Sequence, residues 1–123
     1  MTLKRRALGA DGEQLAADWY ESAGYEVLDR NWRCREGELD LVVATPKVLV
    51  FAEVKTRRST TYGSPYEAVT FDKQRRLRRL ATRWLAMEQQ RGRDHRRTLR
   101  FDVVSVLAPR GQAPTVEVIE AAF

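Results

Sequence analysis

The sequence predicts a single α/β domain, a mixed β-sheet flanked by helices in the order αβββαββ. Three observations predict it: two stretches with helical periodicity, five short runs rich in β-branched residues, and a length of 123 residues that suits one core over residues 1–123. Residues Leu8 to Ala23 put Leu8, Leu15, Ala16, Trp19, Tyr20 and Ala23 on one helical face, and Gly24 supplies a C-cap. Gly9 and Gly12 fall on the core side, which suits close backbone approach and a capping role equally. Tyr25 to Trp32 reads as a strand with Tyr25, Val27 and Asp29 pointing one way. Leu39, Leu41 and Val43 alternate along the next run, and Val48, Val50, Ala52 and Val54 along the one after. Thr45-Pro46-Lys47 makes the turn between them, so the two runs form a hairpin with one strongly apolar face.

The second half follows the same logic. Ser64-Pro65-Tyr66-Glu67 has the pattern of a capping box, and Thr70 caps a longer helix from about Phe71 to Gln90. Leu77, Leu80, Ala81, Trp84 and Leu85 form its apolar face, with Arg75, Arg76, Arg79 and Arg83 opposite. Leu99 to Leu107 and Val116 to Ile119 complete the strands.

A hydrophobic fraction of 43% with three Trp residues argues for a packed globule rather than disorder. The net charge of +5 is unevenly spread. Met1 to Thr56 holds eight Lys/Arg against ten Asp/Glu, whereas Lys73 to Arg100 holds eleven against two. That asymmetry suits a polyanionic ligand, and on charge alone a solvated Arg-rich surface accounts for it equally well. One cysteine, Cys34, excludes an intrachain disulfide, and no Cys-based zinc site is spelled out. No run approaches the ~18 apolar residues of a membrane span, and no apolar segment follows the basic start, so a cytoplasmic location without membrane contact is expected.

The chemistry concentrates in the hairpin. A two-residue turn at Pro46-Lys47 sets Asp40 opposite Glu53 and Glu38 opposite Lys55, all on one face. Facing carboxylates repel unless a cation or proton lies between them. Oxygen-only ligands suit Mg²⁺ or Mn²⁺, which lower the pKa of a bound water and offset charge on a phosphate. Lys55 on the same face can orient that water or neutralise the phosphate. The alternative is the solvated face of a two-faced sheet.

Asp40, twelve residues, then Glu53-Val54-Lys55 resembles the Asp…Glu-x-Lys signature of PD-(D/E)XK nucleases. The wider chain resembles the small bacterial YraN-like family. The matching stretches are LGADGEQLAADWY (8–20), GYEVLDRNWR (24–33), GELDLV (37–42), VFAEVKTR (50–57), GSPYEAV (63–69) and RFDVV (100–104). The resemblance implies a restriction-endonuclease-like fold and metal-dependent hydrolysis of phosphodiester bonds in DNA, with Mg²⁺ or Mn²⁺ as cofactor. Archaeal-type Holliday-junction resolvases share the layout, which implies a preference for branched or structured DNA and, by analogy, a homodimer. Carried over by position, Glu13 is the helix carboxylate, Asp40 and Glu53 the metal ligands and Lys55 the catalytic lysine. Glu38 has no counterpart in the bare motif, so its role stays open.

Lys73 groups with Leu77, Leu80 and Trp84 on the inward side of its helix, where it can point at the site or snorkel past the core. Arg57, Arg58, Arg76 and Arg79, with Lys73, are the candidate contacts to a nucleic-acid backbone. His95 and Cys34 carry no evident chemistry, and Asp102, alternating with apolar neighbours, reads as structural. Two rival readings are a non-catalytic nucleic-acid-binding module of the same fold and an interaction protein whose acidic face docks a basic partner.

Overall fold

The computed structural model describes residues 3–59 and 70–123, with side chains from residue 11 onward. Helix α1 (Leu3–Ser22) leads into strands β1 (Glu26–Cys34), β2 (Gly37–Ala44) and β3 (Val48–Arg57). Helix α2 (Phe71–Gln90) follows, then β4 (Thr98–Leu107) and β5 (Thr115–Ile119). This is the expected αβββαββ order. The Ser64–Glu67 capping pattern and the faces assigned to Leu8 and Gly9 lie outside the described residues or side chains.

The five strands form one sheet in the order β1-β2-β3-β4-β5. β3 and β4 are parallel and joined through α2, while the other neighbours are antiparallel. The helices cover opposite faces. Ala16, Ala17 and Tyr20 of α1 pack on Leu41, Val43, Val50, Ala52, Val104 and Val106. Leu77, Leu80, Ala81 and Trp84 of α2 pack on Leu39, Val42, Ala44, Leu49, Phe51 and Phe101. β3 is buried from both sides, which explains why its run of Val, Leu, Phe and Ala hardly alternates in polarity.

Local chemistry sets the ends of the elements. Gly24 sits at φ 93, its N–H bonded to the Glu21 carbonyl and the Tyr25 N–H to the Tyr20 carbonyl, which makes a Schellman close of α1. Thr70 caps α2 by accepting from the Lys73 N–H. Thr45 Oγ1 accepts from the Lys47 and Val48 N–H groups, holding the two-residue turn.

Three expectations about faces need correction. Asp29 does not share a side with Val27. A register shift between Val27 and Asp29 turns it toward α2, where it accepts from Trp84 Nε1 at 2.9 Å. Leu39 does not share the face of Leu41 and Val43; it packs with α2, so alternation slips between Leu39 and Val42. Ala23 is exposed, and Ala17 takes its place in the core.

Candidate metal centre

The slip in β2 falls at Asp40. The β2–β3 ladder pairs Ala44 with Leu49, Val43 with Val50, Val42 with Phe51 and Leu41 with Ala52, the register a two-residue turn demands. Beyond Leu41 the side chain takes over from the main chain: Asp40 Oδ2 accepts from the Val54 N–H at 2.9 Å. Asn31, flanked by Arg30↔Leu41 and Trp32↔Leu39 in the β1–β2 register, lies across from Asp40 at φ 50. The site therefore sits where both strands leave regular pleating.

Helix α1 adds the next carboxylate. Glu13 lies on the buried stripe of Ala17 and Tyr20, and one oxygen each from Glu13, Glu38 and Asp40 fall within 4.8 Å of one another. Gly12 makes this approach feasible, because a β-carbon there would run into the Thr56 side chain of β3. Glu38 is also held by Arg33 Nε at 3.2 Å, and Glu13 bonds the Asn31 side chain.

Glu53 belongs to the same cleft in a different way. Its Oε1 receives Lys73 Nζ from α2 at 2.6 Å and Lys55 Nζ at 3.4 Å. Its Oε2 is buried with no hydrogen-bond partner among the described residues. Glu13, Glu38, Asp40, Glu53, Lys55 and Lys73 line one cleft of about 370 Å³.

The charges strain one another. Burial, followed by the neighbouring Glu13, Glu53 and Glu38, pushes Asp40 up to about 6 despite the stabilising Val54 N–H. Burial also raises Glu13, with Glu38 adding to the effect and the Asn31 hydrogen bond opposing it. Between the two lysines, burial and the adjacent ammonium lower Lys73. Lys55 also suffers desolvation, but its bonds to the shared cluster and the Glu53 charge outweigh it and raise it. The donor set is all oxygen, crowded and under-neutralised, so these residues fit a hard divalent cation.

The chain matches the model of the uncharacterised protein family UPF0102 over residues 12–106, a span that holds the whole carboxylate cleft. It belongs to that family. The UPF0102 protein of Rhodococcus jostii (strain RHA1) is 54% identical over 117 residues, 95% of this chain and 96% of the relative. The UPF0102 protein of Nocardia farcinica (strain IFM 10152) is 50% identical over 119 residues, 97% and 91% of the two chains.

Of the site residues expected from the UPF0102 sequence, the structure brings Glu13, Asp40, Glu53, Lys55 and Lys73 to one cleft and adds Arg76 at its rim. Arg79 lies further along α2, in a neighbouring groove. Arg57 ends β3 and Arg58 follows it, exposed. Asp40 groups most closely with Glu13 and Glu38 rather than with Glu53 alone. Glu38 shares a face with the motif in the sequence, but its role was not legible because the partner that gives it one, Glu13, arrives from another element. No helix among the described residues is long and apolar enough to cross a membrane.

Proposed function

We propose that this UPF0102 chain is a metal-dependent endonuclease that hydrolyses phosphodiester bonds in DNA, including branched or structured DNA, on the PD-(D/E)XK plan. The observation that carries the reading is Glu53, whose Oε2 is buried without a partner among the described residues, in a cleft that also holds Glu13, Glu38, Asp40 and Lys55. An orphaned carboxylate oxygen beside three further acids is unfavourable for a resting scaffold and favourable for a cation site. Mg²⁺ or Mn²⁺ held by Glu13, Glu38 and Asp40, with Glu53 beside them, would lower the pKa of a bound water and offset phosphate charge.

The chain's own groups supply the rest. The Val54 N–H fixes the Asp40 carboxylate by one oxygen. Lys55 Nζ, with its side chain 35% exposed, reaches the cleft and can donate to a non-bridging phosphate oxygen or orient the attacking water. Lys73 balances the charge of Glu53 on the side away from Oε2. Arg76 at the rim offers a bidentate fork to an adjoining phosphate.

The test offers four-way junction, flap, single-stranded and duplex DNA to the purified chain with Mg²⁺ or Mn²⁺. Cleavage that disappears in Asp40→Ala and Glu53→Ala supports the reading; equal cleavage by those variants sinks it. One observation favours a second reading, a nucleic-acid-binding module without hydrolysis: two ammonium groups already neutralise Glu53 Oε1. That reading predicts DNA binding with neither cleavage nor Mn²⁺ uptake.

A further inference from the structure

The carboxylate cleft continues into a larger groove of about 570 Å³ along the first turns of α2. Thr70, Lys73, Arg75, Arg76 and Arg79 line it from the helix, with Glu36 from the β1–β2 connection across from them. Lys73 and Arg76 line both spaces, so groove and cleft form one path. Arg75 is engaged by Asp72 at 2.9 Å. Arg76 and Arg79 make no ion pair among the described residues, and as an i,i+3 pair they present two guanidinium groups on one stripe. Unpaired guanidinium groups continuous with a candidate phosphoryl-transfer cleft are the electrostatic footprint of a phosphate backbone.

A second observation decides what kind of strand. Phe71, the first residue of α2, is 80% exposed, the most exposed large hydrophobic side chain among the described residues. It stands one helical turn before Arg75 and between groove residues Thr70 and Asp72. Phe71 does not itself line the groove, but an aromatic ring left in water on the same first turn of α2 as groove residues Thr70 and Asp72 contributes nothing to the core and offers a stacking platform for a base. In a duplex the base faces are covered by their neighbours, and only an unpaired base can present one.

We infer that this groove binds an unpaired DNA strand, with phosphates on Arg76 and Arg79 and a base on Phe71, and leads it past Lys73 into the carboxylate cleft. The inference deepens the nuclease reading by naming its substrate as DNA with a single-stranded segment or frayed end beside the cut. It rests on that reading for events in the cleft, whereas binding in the groove requires neither metal nor hydrolysis.

The experiment measures fluorescence anisotropy of the full chain in EDTA, so cleavage plays no part. The probes are labelled oligodeoxythymidylate of about 15 nucleotides and a blunt duplex of equal length. The single strand should bind more tightly than the duplex. Phe71→Ala should weaken single-strand binding about tenfold and leave duplex binding unchanged, with Phe71→Trp restoring it. The double variant Arg76→Ala/Arg79→Ala should bind more weakly and show a shallower dependence on salt. Equal affinity for single strand and duplex overturns the inference, and so does a Phe71→Ala chain that binds the single strand like the unmodified protein. A chain that passes this test yet cuts nothing with Mn²⁺ loses the nuclease reading and keeps the groove.

Discussion

Asp102 and Glu53 are neighbours in the β3–β4 ladder, since Asp102 pairs with Ala52 and Glu53 with Val103, yet they face opposite sides of the sheet. Both are buried. Asp102 accepts two bonds from Arg100, at 2.8 and 2.9 Å, one from the Tyr20 hydroxyl at 2.7 Å and one from the Ala121 N–H at 3.1 Å. Its charge is fully matched, and it reinforces burial in disfavouring the Tyr20 phenolate, so the phenol stays firmly protonated as a donor. Glu53 has two ammonium groups on one oxygen and, among the described residues, no partner on the other, and it faces a cleft in which Asp40 is pushed up to about 6. Burial of both with unequal compensation separates an acid that holds the fold from the acids proposed to hold a cation.

The largest expected effect breaks the compensated side. Asp102→Ala leaves Arg100 and Tyr20 without their partner and should cost about 3–5 kcal/mol in urea unfolding. Mn²⁺ binding by the fraction that remains folded should persist; if it vanishes with the same substitution, the two regions are not separable.

Helix α1 serves both regions, so its seating is the next lever. Gly12→Ala drives a methyl group into Thr56 and should destabilise the chain by about 1–3 kcal/mol. Adding Thr56→Ala should recover part of that loss, and a double variant no more stable than Gly12→Ala alone would place the strain elsewhere.

On the uncompensated side the sign reverses. Asp40→Asn keeps an acceptor for the Val54 N–H and removes a crowded charge, so the metal-free chain at pH 7 should gain about 1–2 kcal/mol while losing Mn²⁺ uptake. The pH dependence follows from the raised Asp40 value. Between the ordinary carboxylate range and about 6, the folded state holds a proton that the unfolded state has released. Stability from this group is therefore present at low pH and is lost as pH rises through about 6. The gap in Tm between Asp40→Asn and the unmodified chain should be small at pH 4 and full at pH 7.5, and saturating Mn²⁺ should close it. A gap independent of pH would remove Asp40 as its source.

The smallest effect concerns the lysine that shares Glu53. Lys73→Met removes a cation beside the cleft, so Mn²⁺ should bind a few-fold more tightly by calorimetry, while single-stranded DNA binds more weakly in EDTA. Weakening of both together would mark Lys73 as a structural support only.

Much of this arrangement was legible in the order of residues. Alternation and turn chemistry around Thr45-Pro46-Lys47 yielded the β2–β3 register from Ala44–Leu49 to Leu41–Ala52, but the expected pairs Asp40–Glu53 and Glu38–Lys55 are not part of the ladder, because the Asp40 side chain takes the Val54 N–H where the pleating slips. Helical spacing placed Lys73 with Leu77 and Leu80, and it lies on Glu53. The same spacing anticipated close approach at Gly12, and alternation marked Asp102 as structural. The misreadings at Asp29 and Leu39 share one cause. Strict alternation assumes unbroken pleating, and these strands bulge or slip beside the site, where Asn31 takes a positive φ.

By itself, then, the sequence determined the helices, the strands and the hairpin register as far as Leu41–Ala52, and it brought Glu38, Asp40, Glu53 and Lys55 to the open end of one hairpin, because periodicity and turn chemistry act over a few neighbouring residues. Only the tertiary structure decided that Glu13 meets Glu38 and Asp40, that Lys73 and Lys55 share one oxygen of Glu53, and that the other oxygen has no partner among the described residues. Those outcomes depend on two helices closing on opposite faces of the sheet, and on the repulsion and desolvation that arise only once distant charges occupy one dry cleft.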